Sequence, residues 1–207
     1  MDKDLIKRAC SLGEEKRLPE RSQPSMPSIV REELERWKPG EFLARHNPDV
    51  GLAVVRLGAT SGELALNGRI PTLANVAEVY GTATVKVWLT VQLDSVDAVL
   101  GANAFGELAR EEAVKLIMTG YKDVNVGNLL QFFARYKMGE YNEAVAHYGG
   151  VQKLMTALRL YLRTRDDDAR RVARERDNEK AWRERQEREK RVISYEEYIK
   201  SKSNETT

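Results

Sequence analysis

Cysteine, histidine and long apolar runs are all scarce in this chain, and each scarcity closes off a class of function. Cys10 is the only cysteine, so no intrachain disulfide can form and a cysteine-ligated zinc site would lack its other ligands. The two histidines, His46 and His147, stand far apart, and neither falls in a metal-binding spacing such as HxxxH. There is no GxGxxG and no phosphate-binding lysine loop, and Gly149-Gly150 is not followed by GKS or GKT. Gly58 to Gly62 reads GATSG, which is not the GxSxG of a nucleophile elbow. Asp166–Asp168 lacks the glycine and the closing glutamate of a calcium loop. These gaps predict a protein that is not an enzyme and carries no catalytic residue, metal or cofactor.

No apolar stretch reaches the roughly 18–20 residues needed to span a bilayer. The opening MDKDLIKRACSLGEEKR has charge where a signal peptide needs apolar residues. The expectation is a soluble, cytoplasmic protein without a membrane partner.

What the chain does have is charge. Charged residues make up 32% of its 207 positions and hydrophobic ones 42%, yet the formal net charge is only +2. The apolar fraction is enough for a core, and the charge implies that one segment is mostly solvated. So small a net charge excludes a uniformly basic nucleic-acid binder and leaves room for a local basic face.

The order along the chain predicts a mainly α fold: a compact helical domain with a long charged C-terminal helix. Pro19, Pro24 and Pro27 mark 1–27 as a flexible arm. The helical core spans 28–165. Ser28 is placed as the cap of a short helix that Pro39-Gly40 stops, and a second short piece ends at Asn47-Pro48. Residues 49–67 fit helix or strand, with Asn67-Gly68 as a helix end or turn. Thr72 opens a helix that stops at Gly81. In 83–93, Val85, Val87, Leu89, Val91 and Leu93 alternate like a strand, while Val85, Trp88, Leu89, Gln92 and Val96 keep helical spacing. The length of the run favours a buried helix; the alternative is an α+β fold with a small hairpin in 52–93. Asn103 or the residues after it start the next helix, roughly 105–119, with Leu108, Ala109, Ala113, Leu116 and Ile117 inward. Asn125 caps a further helix with Leu129, Leu130, Phe133 and Tyr136 as its stripe, and Gly139 stops it.

The last long helix starts near Val151, and its apolar stripe ends at Arg165. Residues 166–207 form a projecting charged helix and tail. Favourably spaced pairs are Asp166–Arg170, Asp167–Arg171, Glu179–Arg183, Glu184–Arg188 and Glu187–Arg191. No apolar heptad suggests a coiled coil. Ser194 with Glu197 forms a capping box for a terminal mini-helix, followed by the disordered tail SKSNETT.

One stretch, Tyr121 to Arg165, concentrates basic and aromatic residues. Lys122, Arg135, Lys137, Arg159 and Arg163, with Tyr141 and Tyr148 on the turn, are the candidate nucleic-acid-binding residues, since cations hold phosphates and flat rings stack on bases. The simpler reading puts Phe132, Phe133, Tyr136 and Tyr161 in the core and the cations in solvent. The ten-residue connection is too long for a helix–turn–helix. In the charged helix, Trp182 is an isolated aromatic through which 166–199 could hold a protein partner.

The succession PTLANVAEVYG, VWLTVQL, YKDVNVGNLLQFFARYKMGEY, YGG and ALRLYLRTR, closed by ISYEEY, resembles an uncharacterised family of bacterial proteins common in gut Bacteroidetes, their prophages and mobile elements. The likeness runs from about Arg69 to Tyr198 and departs at Asn142, where the family usually has glycine. It implies an accessory role on a phage or mobile element, contacting DNA or a replication protein. The alternative is a structural adaptor working through the charged helix.

Overall fold

The computed structural model describes residues 26–101 and 104–204. The predicted arm up to residue 25, the helix start at Asn103 and the last three residues lie outside the described residues. Within them the fold is mainly α: α1 Ser28–Glu35, α2 Pro39–Arg45, α3 Pro48–Arg56, α4 Ser61–Leu66, α5 Leu73–Tyr80, α6 Thr82–Leu100, α7 Glu107–Gly120, α8 Val126–Lys137 and α9 Gly150–Asn204. Among the described residues there is no strand, only an isolated bridge between Thr72 and Asn125. The hairpin alternative in 52–93 is therefore not adopted.

Helical spacing prevails in 83–93 because it leaves one clean inner face. Val85, Trp88, Leu89, Gln92, Leu93 and Val96 are buried, while Val87 and Val91, which a strand would pair with Val85 and Leu89, are exposed. Trp88 Nε1 and Gln92 Nε2 both donate to the His46 carbonyl, at 2.7 and 3.0 Å, so both buried donors are satisfied. Gly81 separates α5 from α6 at φ 85°, a conformation open to glycine at little cost.

At the helix ends, side chains capture backbone N–H groups left without a partner. Asn47 caps α3 with Pro48 at its first position. Thr60 and Glu63 bond reciprocally at α4 (3.1 and 2.9 Å), and Thr72 with Asn75 does the same at α5. Asn125 caps α8 by accepting from Asn128 N at 2.8 Å. Ser28 departs from its expected role: Pro27 occupies the cap position and Ser28 is already helical. Pro39 starts α2 rather than merely stopping α1, as proline's missing N–H allows at a first turn. In α7, Leu108 is 84% exposed and Val114 takes the inner position instead.

Helix α8 is the axis of the body, with every residue from Val126 to Ala134 buried. Two close crossings fix its neighbours. A Cβ on Gly51 of α3 would stand 2.5 Å from the Leu130 carbonyl oxygen of α8, and one on Gly62 of α4 would stand 2.5 Å from the Asp168 carbonyl carbon of α9. Both sites require glycine because backbone meets backbone. A buried polar chain ties the same elements together. Gln131 Nε2 donates to the Ala59 carbonyl (2.6 Å) and Tyr161 Oη to Gln131 Oε1 (2.9 Å). Asn128 Nδ2 donates to Tyr161 Oη (2.9 Å) and to the Ser61 carbonyl (2.9 Å). Around it, the Phe132 ring lies 5.3–6.0 Å from the rings of Phe133, Tyr136, Tyr141 and Tyr161, a cluster worth more than its area alone.

The long helix α9 stays against the body past Arg165. Asp168, Ala169, Val172 and Ala173 remain half-buried, and Ser61 Oγ donates to Asp168 Oδ2 at 2.7 Å. Beyond Ala173 nearly every described side chain is exposed. The expected break at Ser194 is absent: the helix runs unbroken to Asn204, taking in the first residues of SKSNETT. At about 1.5 Å per residue its 55 residues span about 80 Å.

Candidate nucleic-acid interface

The fold disperses the seven candidate residues. Lys122 precedes α8, exposed, with its carbonyl accepting from Ala74 N at 2.8 Å. Arg135 and Lys137 sit at the other end of the 12-residue α8, about 18 Å away. Arg135 is half-buried beside Tyr141 and 3.8 Å from Glu140 Oε2. Lys137 Nζ donates to Ser95 Oγ at 2.9 Å. Burial pushes its ammonium below the usual lysine range, with Asp49 acting against that shift. Tyr141 packs on Phe132, and burial pushes its phenol up to about 12. Tyr148 is 44% exposed in the turn. Only Arg159 and Arg163 share one element and one exposed surface, on α9.

Continuing that surface along α9 brings in residues the sequence reading treated as part of a solvated mixture. One residue turns an α-helix by about 100°. With Leu154, Leu158, Tyr161 and Val172 marking the body-facing side, Arg159, Arg163, Arg174 and Arg185 all fall within about 80° of each other on the opposite side. All four are exposed. Among the described residues none has an ion-pair partner, Arg159 bonding only to Thr156 Oγ1 at 3.2 Å. Arg163, Arg174 and Arg185 recur every eleven residues, about 16 Å apart.

The acids are placed differently. Asp166 bonds Arg165 at 2.7 Å, Asp167 bonds Arg170 at 3.1 Å and Asp168 bonds Arg171 at 2.9 Å. The i,i+3 pairs Asp167–Arg170 and Asp168–Arg171 stand where Asp166–Arg170 and Asp167–Arg171 were expected, Asp166 pairing with Arg165 instead. Glu179–Arg183 (2.5 Å) and Glu184–Arg188 (3.8 Å) are present as expected. Glu63 on α4 is held below the usual carboxylate range by the Thr60 backbone and hydroxyl donors, with Arg176 adding to the effect. Asp166, Asp167, Asp168, Glu179 and Glu184 are thus engaged by neighbours, Glu175 and Asp177 carry no side-chain bond among the described residues, and four arginines of the outward face have no acidic partner.

The signal that could have found Arg174 and Arg185 is their eleven-residue spacing from Arg163. It becomes legible only once the inward face of α9 is known beyond Arg165.

No helix among the described residues is long and apolar enough to cross a membrane, and no cluster of metal-binding side chains occurs among them. The chain matches no family model, no curated protein and no solved structure.

Proposed function

We propose that this protein is a non-catalytic accessory factor that grips duplex DNA through the outward arginine face of α9. The observation that carries the reading is the alignment of Arg159, Arg163, Arg174 and Arg185, all without acidic partners, along about 39 Å of helix. Phosphate binding releases counterions and needs unpaired cations in a row. The arginines line a straight rod, with Trp182 the nearest aromatic about 60° round from Arg185; this suits a stiff duplex better than a single strand, whose bases call for a series of stacking platforms. The resemblance to a family carried by phages and mobile elements supports the same reading.

Titration of a short duplex by fluorescence anisotropy between about 50 and 200 mM salt tests it. Affinity should fall steeply with salt. Arg163→Gln, Arg174→Gln and Arg185→Gln together should lower the slope of log K against log salt by about 3, near one per phosphate contact. A triple variant with unchanged affinity and slope would overturn the proposal.

A second reading rests on Trp182, 62% exposed amid charge: an adaptor helix that buries this indole in a protein partner. Trp182→Ala should then abolish co-purification of that partner while leaving DNA affinity unchanged.

A further inference from the structure

A cavity of about 450 Å³ opens between α1, α2 and the segment joining α4 to α5, on elements that hold no part of the outward face of α9. Its size is ordinary for a small-molecule site. The apolar wall is Leu34, Phe42, Ile70 and Pro71. Phe42 is fully buried and stacks on His46 at 4.4 Å between ring centroids, so the wall is preformed.

Two guanidinium groups line the same cavity, those of Arg45 and Arg69. The Arg45 guanidinium carbon lies over the Trp37 indole, 3.5 Å from its centroid. This cation–π contact restrains the guanidinium without using its N–H groups. Neither arginine has a hydrogen bond or ion pair to a described residue. Glu33 is the one acid on the lining and lies beyond ion-pair distance of both. The third polar group is His46. Its Nδ1 faces the Phe42 carbonyl at 2.9 Å, and a carbonyl can only accept, so Nδ1 carries the proton and Nε2 is left as an acceptor. Burial lowers the pKa of His46, which disfavours a second proton on the ring.

We infer that this cavity binds a small amphiphilic anion, a carboxylate or phosphate head held by Arg45 and Arg69 with its apolar body against Phe42 and Ile70. Two arginines lining one cavity offer an oxyanion charge-assisted donors, and the indole beside Arg45 restrains that side chain more than solvent would. The site stands independently of the DNA reading, since it shares no residue with α9.

The test is calorimetric titration of the full chain with octanoate, octyl phosphate and the neutral octyl glucoside, all below their micellar concentrations. One or both anions should bind, the stronger of the two naming the head group, and octyl glucoside should bind at least tenfold more weakly. Arg45→Gln and Arg69→Gln, both at exposed positions, should each weaken the anion fivefold or more, whereas Arg163→Gln should leave it unchanged. Three results would overturn the proposal: no anion binding at millimolar concentration, equal binding of the neutral amphiphile, or full affinity in both arginine variants. Binding to phosphatidylglycerol vesicles without binding of either monomeric anion would also overturn it, in favour of a membrane surface.

Discussion

Helices α8 and the outer part of α9 share a chain and a secondary structure but little else in how they are held. In α8 the residues from Val126 to Ala134 are all buried; its N-cap is local, from Asn125, but its buried side-chain bonds run to Ala59, Ser61 and Tyr161 on other parts of the fold. Past Ala173, α9 is exposed nearly all round and is supported by its own ion pairs, Glu179–Arg183 and Glu184–Arg188, each worth about 0.2–0.5 kcal/mol. The first helix owes its stability to tertiary context and the second to local chemistry. The first can hardly tolerate change, and the second is free to vary its surface for a partner.

Five substitutions sharpen or break this contrast, each read by chemical denaturation. Phe132→Ala, at the centre of the ring cluster, should cost about 3–5 kcal/mol; a cost below about 1 would mean the cluster is not the hub it looks to be. Gly62→Ala should cost about 1–3 kcal/mol, since its Cβ meets the backbone of Asp168, which cannot rotate aside. The same substitution at Gly58, where nothing lies within 4 Å, separates crowding from the strain of its φ of 72°. Smaller still is the pH effect. Burial pushes the phenols of Tyr136 and Tyr141 up to about 12 and raises that of Tyr161 as well. Above about pH 10 the unfolded chain gives up these protons first, so the folded state loses stability as pH climbs from 10 to 12. Burial raises the phenol of Tyr80 too, and Lys137, shifted down by burial, works the other way as a single group against four. Tyr136→Phe should flatten the alkaline decline. The smallest effect belongs to Glu179→Ala, expected within about 0.5 kcal/mol; a loss of 2 kcal/mol would show that outer α9 is docked after all.

Much of the body was legible from residues. Asn125 as a cap, Gly81 as a stop and the stripe of Leu129, Leu130, Phe133 and Tyr136 follow from local rules that tertiary packing reinforced. The helix over 83–93 could be decided by length against β-branched content. The glycine crossings at Gly51 and Gly62 could not be read, because they depend on which helices meet, as does the chain of Asn128, Gln131 and Tyr161. For the candidate interface, sequence spacing gathers the cations of Tyr121 to Arg165 into one group but has no means of sorting them by face. Arg135 and Lys137 look equivalent to Arg159 and Arg163 in sequence. Packing turned the first pair toward Glu140 and Ser95 and left the second pair outward.

The contact between Gly62 and Asp168 also sets a phase. Because α9 continues unbroken from that point to Asn204, the azimuth of every later side chain is fixed relative to the body, as teeth are on a shaft keyed at one end. Inserting one alanine after Ala173 would turn Arg174 and Arg185 by about 100° away from Arg163, while inserting seven would restore them to within about 20°. Composition, charge and helicity would hardly differ between the two insertions. Only the alignment would, which makes the pair a sensitive gauge of whether the long helix works as a set of charges or as an oriented edge.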